Sequence, residues 1–394
     1  MVQTATTGNR GNRIRSDCQV KLQIRSKGGI EVKLVSKVER MFGSQIRQQV
    51  IEVLESLGVQ DAVIEIEDTG ALPFVIGARI EAAVKKLRPT DKAWIPSLIE
   101  QNRYETGRER FRFSRLYLPG NSPSMMLNAG IHQPDGIILD LEDSVAPEKK
   151  AEARLLVRNA LLQVDFYGAE RMVRINQLPD GLEDLDEIVP HRVHLILLPK
   201  CEHASQVEEV DKRILTILKA HKQERKIFIM PIIESCLGVE NAFDIATASA
   251  SVVAMAIGLE DYTADLGVRR TGEGKESLYA RTRLVNACKA AGIQPIDSVY
   301  SDVADMEGLK RNVEQSRALG FEGMGCIHPR QVPVIHGAFV PGEEEIEIAK
   351  RIVKAFEEAE ARGSGVVALG SKMIDPPVVK RAQKTLDLAR KLKS

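Results

Sequence analysis

Two hydrophobic periodicities divide the chain. Over residues 19–24, and again over 30–35 after Gly28-Gly29, apolar and polar positions alternate, which predicts two strands. Val38, Phe42, Ile46, Val50, Leu54 and Leu57 then recur at three- to four-residue spacing and predict a helix closed by Gly58. A third strand over 62–66 and a second helix over 72–87 complete a small ββαβα unit. From Arg115 the pattern changes to short, almost unbroken apolar runs separated by amphipathic stretches. The runs at 115–118, 136–141, 172–175, 195–198, 226–233, 252–257, 295–299 and 323–327 predict eight strands. Runs such as HLILLP and IFIMPII, with no polar alternation, suit strands buried on both faces. Strands alternating with helices at this spacing predict an α/β fold, a (β/α)8 TIM barrel preceded by a small α+β domain. An open doubly wound sheet is disfavoured, because no Gly-x-Gly-x-x-Gly loop follows the first strand. The expected organisation is a domain over 1–88, a polar connector over 89–111, and the barrel with a helical extension over 112–394.

Composition narrows the classes of function. Fifty-five basic residues balance fifty-five acidic ones, and aromatics make up only 4% of the 394 residues. Neither nucleic acid nor a membrane surface is called for. The scattered cysteines, Cys18, Cys201, Cys236, Cys288 and Cys326, form no C-x-x-C pair and read as reduced thiols. No apolar run is long enough to span a bilayer, and the first residues lack a signal-peptide core, so a cytoplasmic protein is expected.

A barrel places its active site at the C-terminal ends of its strands. Those ends carry Asp140, Glu142 and Asp143, then Arg174 and Asn176, Lys200, Glu234, Glu260 and Asp261, Asp302 and His328. Hard carboxylate oxygens from two strands suit Mg²⁺, which takes few protein ligands and keeps sites for water and substrate. Glu234 and Asp261, directly after long apolar strands, are the expected pair. Arg174 either holds a substrate carboxylate or enolate, or neutralises Asp140 or Glu142. Lys200 reads as charge support, and His328-Pro329 as a turn. Asp375 before Pro376-Pro377 is explained by helix N-capping alone.

The segments RLYLPGNS, IILDLEDSV, VRIN, LLPK, PIIES, AIGLEDY, DSVYSD, IHPRQV and GSKMID resemble, in order and spacing, the citrate lyase β-chain family within the HpcH/HpaI aldolase/lyase group. The resemblance covers about residues 112–394. It implies a metal-dependent cleavage of a 3-hydroxyacyl thioester, with Glu234 and Asp261 as Mg²⁺ ligands that also contact substrate and Arg174 on substrate oxygens. It further implies that Asp375 enters a neighbouring subunit's site for proton transfer, and hence a homo-oligomer, trimer or hexamer. In citrate lyase the substrate is a citryl thioester on an acyl carrier, the products are oxaloacetate and an acetyl thioester, and an α-chain is a partner.

VERMFGSQIRQQV and EIEDTGALPFVIGARIEAAV are similar to the citrate lyase acyl carrier (γ) chain over about residues 9–87. That family attaches a phosphoribosyl-dephospho-CoA prosthetic group to a serine in a pattern like G-x-x-x-S-x-D. The corresponding stretch here is Gly11-Asn12-Arg13-Ile14-Arg15-Ser16-Asp17, with Arg15 at the attachment position and Ser16 one residue later. Arginine cannot form the phosphodiester. Either Ser16 is modified instead, or the domain keeps only a docking role. Three functions stand at this point: a citryl-thioester lyase, a citramalyl- or malyl-CoA-type lyase with a degenerate carrier domain, and a non-catalytic scaffold subunit.

Overall fold

The computed structural model describes residues 3–361, 367–369 and 372–392. In the N-terminal unit β1 (Ala5–Gly8), β2 (Cys18–Ile24), β3 (Ile30–Ser36) and β4 (Ala62–Asp68) form one sheet in the order β1-β2-β4-β3. β3 and β4 are parallel, with Ile30 opposite Ala62, so the chain needs a crossover, which α1 (Glu39–Ser56) supplies. α2 (Pro73–Leu87) packs beside it, starting with proline where a helix N-terminus has no use for the missing N–H. Val20, Leu22, Ile64 and Ile66 point to the helices and are fully or almost fully buried. The other face carries Lys21, Lys33 and Glu65 in surface ion pairs. That one-sided burial produces the alternation visible in the sequence. β1 was not expected: its ATTG has no apolar stripe, and its strand geometry comes from antiparallel pairing with β2.

The barrel has the expected eight strands. β5 (Ser114–Pro119) is followed by α3 (Pro123–Met126), β6 (Gly136–Asp140) by α4 (Lys150–Gln163), and β7 (Glu170–Arg174) by α5 (Gly181–Ile188). β8 (Leu195–Leu198) leads to α6 (Ala204–Ala220), and β9 (Phe228–Ile233) to α7 (Cys236–Glu240) and α8 (Ala242–Thr247). β10 (Ala254–Ile257) leads to α9 (Leu259–Leu266) and α10 (Leu278–Ala291), β11 (Gln294–Ile296) to α11 (Met306–Leu319), and β12 (Met324–Cys326) to α12 (Gln331–Phe339). Neighbours pair in parallel in sequence order, and β12 returns to β5 with Met324 opposite Ser114. A bridge between Asp297 and Met324 closes the ring between β11 and β12. Alternate residues face inward and outward. Ile138, Met172, Leu197, Met230 and Ile232 fill the bore, while Leu139, Val173, Ile196 and Ile233 join the core under the helices. Both faces are therefore apolar, as the unbroken runs required.

The connector lies against the barrel. Asn102 is fully buried and donates to the carbonyls of Leu161 (3.1 Å) and Val164 (2.7 Å), and Arg112 pairs with Glu170 at 2.7 Å with neither side chain exposed. Trp94 sits on Gly77 of α2, so closely that a Cβ there would come within 2.1 Å of the ring.

α2 also packs on α4, and its Phe74, Val75, Ala78 and Ala82 belong to the barrel's own core. Two charged triads cross this contact. Arg79 holds Asp17 at 3.0 and 2.9 Å and lies 3.7 Å from Glu152 of α4. Arg158 of α4 holds Glu81 of α2 at 3.0 and 2.7 Å and Glu187 at 2.9 Å. Arg79, Glu152, Glu81 and Arg158 are wholly buried. The N-terminal unit is thus docked through desolvated charge, hydrogen-bonded between Arg158 and Glu81 and held by charge alone between Arg79 and Glu152.

Two histidines on the β7–β8 side are held neutral. Burial pushes the His194 imidazole down to about 3 and that of His191 to about 4, with neighbouring arginines adding to both effects. His194 accepts the Arg171 backbone N–H at Nδ1 (3.1 Å), and its Nε2 lies 2.7 Å from Arg171 Nη2 and 3.1 Å from the Tyr104 carbonyl. The unfolded chain binds protons below its ordinary histidine value while the folded one does not. Stability is therefore present above about pH 6.5 and falls as pH drops toward 4, by a few kcal/mol in all. Urea unfolding midpoints measured from pH 7 to pH 4.5 should fall steadily, and the fall should be shallower in His194→Gln. An equal slope in the variant would remove His194 from the account.

After the barrel, α13 (Glu343–Glu360), a hairpin of β13 (Val367–Leu369) and β14 (Lys372–Ile374), and α14 (Pro376–Lys391) form an extension with its own small cluster of Ala349, Val353, Ala382 and Leu386.

Candidate active site

The strand ends open into a cavity of about 770 Å³. Tyr117, Asp140, Asp143, Arg174, Glu234 and Asp261 line it, together with Glu260 and His328.

Glu234 directly follows β9, and Ser235 immediately caps α7 by accepting the Gly238 N–H at 3.1 Å. The carboxylate is thus pinned between a strand end and a helix start. Its side chain is almost entirely buried, and one oxygen accepts the Lys200 backbone N–H at 2.7 Å. The other oxygen faces Gly258, where a Cβ would come within 2.5 Å of it; only glycine leaves that space. Burial pushes the Glu234 carboxyl up to about 8, with the negative fields of Asp261 and Glu142 adding to the effect. Asp261, in the first turn of α9, is partly exposed and lies 3.7 Å from Lys200 Nζ.

Such a pair is poorly compensated by the protein itself, and a divalent cation between the two would relieve it. Two hard oxygen donors with open neighbouring space suit Mg²⁺ better than zinc. Among the described residues no group of three or more His, Cys, Asp or Glu forms a metal-ligating cluster. The donor set therefore fits an ion that relies on water and substrate for its remaining ligands.

Of the alternatives raised for Arg174, the structure carries the pairing with Asp140 and Glu142. Arg174 holds Asp140 through paired bonds of 2.7 and 2.8 Å, lies 2.8 Å from Glu142, and stacks over Tyr117 at 5.5 Å. It also lines the cavity. Burial opposes its charge, but the hydrogen-bonded Asp140 outweighs that and holds the guanidinium well above its ordinary value. Burial works against the Asp140 charge too, yet the bond from Arg174 holds its carboxyl below the usual range. The result is a fixed cation, oriented by Asp140, in the same cavity as Glu234.

The other strand-end residues separate. Asn176 donates to Asp184 at 2.8 Å and serves the loop. Asp302 accepts the Ala304 N–H at 2.9 Å and is not among the cavity's lining residues. Glu260 lines the cavity but pairs with Arg270 at 2.9 Å. His328 reaches the cavity while also accepting the Arg330 N–H at 3.2 Å. Asp375 caps α14, accepting the Val378 N–H at 3.2 Å, and lies outside this chain's cavity lining. Gly370 and Ser371 of its motif lie outside the described residues. Ser16 is partly exposed with a left-handed backbone (φ 55°), and Arg15 is exposed.

Strand-end reading missed Arg115, Tyr117, Gly258 and Ser298, all of which line the cavity. Ser298 accepts the Leu259 N–H at 3.2 Å and so fixes the start of the helix bearing Asp261. A signal existed for two of them: Arg115 and Tyr117 are polar or amphipathic at alternate positions of an apolar strand.

A (β/α)8 barrel whose cavity gathers a carboxylate pair and a fixed arginine defines the class. Residues 114–329 match the HpcH/HpaI aldolase/citrate lyase family, and the chain belongs to that family. Residues 4–87 match the family described as malonate decarboxylase delta subunit, an acyl-carrier type. The chain is 41% identical over 284 residues to the citrate lyase subunit beta of Haemophilus influenzae, covering 71% of this chain and 98% of that one. It is 34% identical over 290 residues to the mitochondrial citramalyl-CoA lyase of Homo sapiens, covering 71% of this chain and 85% of that one. Among solved structures it is similar to the CitE protein of Mycobacterium tuberculosis in complex with magnesium, acetoacetate and coenzyme A. That likeness has a TM-score of 0.61 and 30% identity, and covers 72% of this chain and all of the other. The protein is a carbon–carbon lyase, and the scaffold alternative falls away. No described helix is long and apolar enough to cross a membrane.

Proposed function

We infer that the protein cleaves a citryl-type 3-hydroxyacyl thioester of free CoA, with Mg²⁺ held by Glu234 and Asp261. The observation that carries the reading is that Glu234, Asp261 and Arg174 line one cavity. Bound Mg²⁺ would supply Lewis-acid polarisation of the substrate's oxygens. Arg174, held in place by Asp140, orients the 2-oxo acid portion and balances its charge. A base takes the hydroxyl proton, the C–C electron pair moves to the thioester α-carbon as an enolate, and proton return to that carbon gives the acetyl thioester and oxaloacetate. Asp375 serves in proton transfer from a neighbouring subunit in this reading, which requires a homo-oligomer.

Two observations favour free CoA over a covalent carrier arm. Arg15 occupies the attachment position, and the N-terminal unit is docked by buried ion pairs rather than left free to swing. The CoA in the Mycobacterium structure and the CoA ester cleaved by the human relative point the same way. The human relative also gives the second reading, citramalyl-CoA.

The test is a panel of citryl-, citramalyl- and malyl-CoA with purified protein and Mg²⁺, with intact mass measured on protein from its native host. Mg²⁺-dependent release of oxaloacetate from citryl-CoA by unmodified protein is expected. Preferred cleavage of citramalyl-CoA would shift the acyl group, and a prosthetic-group mass on the chain would restore the carrier version.

A further inference from the structure

The loop between β1 and β2 is fastened at both ends to the loops that wall the cavity. At its start, the Gly8 carbonyl accepts Lys149 Nζ at 3.0 Å, and the Gly8 N–H donates to Glu152 at 3.2 Å. At its end, Asp17 is gripped by Arg79, whose Nη2 also donates to the Asn121 carbonyl at 3.3 Å. Asn121 belongs to the β5–α3 loop, and Ser124, Met125 and Asn128 just beyond it line the cavity, as do Asp143 and Ser144 in the loop leading to Lys149. Residues 9–16 are therefore held between anchors next to two loops that contribute residues to the cavity.

That side of the barrel is short of available cations. Among the described residues the only arginines lining the cavity are Arg115, fully buried in the bore, and Arg174, committed to Asp140, and no lysine lines it. Lys149 is taken by Glu152 at 2.7 Å. The loop itself carries Arg10, Arg13 and Arg15, all exposed. Arg10 pairs with Glu67 at 3.2 Å, whereas Arg13 and Arg15 make no ion pair or side-chain hydrogen bond among the described residues. The acidic groups of the same edge are engaged: Asp17 by Arg79, and Glu65 by Lys21 and Lys33.

We propose that Arg13 and Arg15 bind the phosphates of a free CoA-type thioester whose acyl end lies in the cavity, so that the N-terminal unit is a fixed lip of the site. This rests on the CoA reading above. A thioester entering the cavity leaves a diphosphate and a ribose phosphate outside, and guanidinium forks match phosphate oxygens in charge and geometry. Arg15 stands where a carrier of this type would fix the same chemical arm covalently; here it is free to hold that arm by charge instead.

The experiment compares Arg13→Ala/Arg15→Ala with the unaltered full-length protein, using citryl-CoA and citryl-pantetheine, which lacks the phosphates. Binding of CoA alone is measured by calorimetry. The expected result is a KM for citryl-CoA raised about tenfold or more, as for loss of charge-assisted bonds, with kcat and the KM for citryl-pantetheine unchanged. CoA affinity should fall in parallel, the difference should shrink in high salt, and Arg15→Lys should recover part of it. Arg25→Ala, at the far end of β2, should change nothing. Equal effects on both thioesters, no effect on either, or a larger effect from Arg269→Ala or Arg330→Ala on other loops would overturn the proposal. If the unaltered protein cleaved neither thioester yet bound CoA through Arg13 and Arg15, the lip would stand and the lyase substrate would fail. Absence of CoA binding would sink the lip itself.

Discussion

Glu234→Gln is expected to abolish Mg²⁺-dependent cleavage, lowering kcat/KM by at least about a thousandfold, while leaving the fold intact. The substitution keeps the Lys200 N–H bond, because the glutamine carbonyl accepts as the carboxylate did. It removes the charge that would hold the metal opposite Asp261. It also removes a carboxyl whose charged form burial and like charge disfavour, so thermal stability without metal should be unchanged or slightly higher. Asp261→Ala should show the same kinetic loss with little structural consequence, since Asp261 is partly exposed and, among the described residues, pairs only with Lys200. Calorimetric titration with MgCl₂ supplies a readout independent of turnover. Wild-type rates or wild-type Mg²⁺ affinity in either variant would sink the metal assignment.

The second large effect concerns stability. Arg158→Ala should destabilise the protein by about 3 kcal/mol or more, because it strands Glu81 in a buried contact between α2 and α4. Lys85, 3.1 Å from Glu81, offsets part of the loss. A cycle of Arg158→Ala, Glu81→Ala and the double variant, followed by urea unfolding, isolates the pair. The double variant should be less damaged than the sum of the singles, since removing both partners leaves no orphan charge. Additive effects within about 0.5 kcal/mol would mean that the pair is not coupled.

The barrel was legible because strands buried on both faces leave long apolar runs, and its chemistry because the fold sends the residue after each run toward a common mouth. The cavity positions of Glu234, Asp261 and Arg174 were legible in this way. Asp302 and Asn176 occupy equivalent sequence positions but turn into their own loops, since position after a strand fixes a level on the barrel and not a side-chain direction. Gly258 was invisible because its role is the absence of a side chain beside Glu234. β1 escaped because its order comes from a partner strand rather than from its own pattern. The docking contact was hidden for a different reason. Arg79 and Glu81 read locally as solvent-facing polar positions of a helix, and nothing in the local sequence says that they are buried against another domain.

Those buried triads have a further consequence. An apolar patch of similar size could hold two bodies together at several relative rotations, since dispersion contacts are not directional. Charges taken out of water are tolerable only where each finds its partner, so Asp17–Arg79–Glu152 and Glu81–Arg158–Glu187 together admit one alignment. The contact therefore specifies an angle as well as an attachment, and whatever the loop over 9–16 presents to the barrel arrives in a single fixed pose.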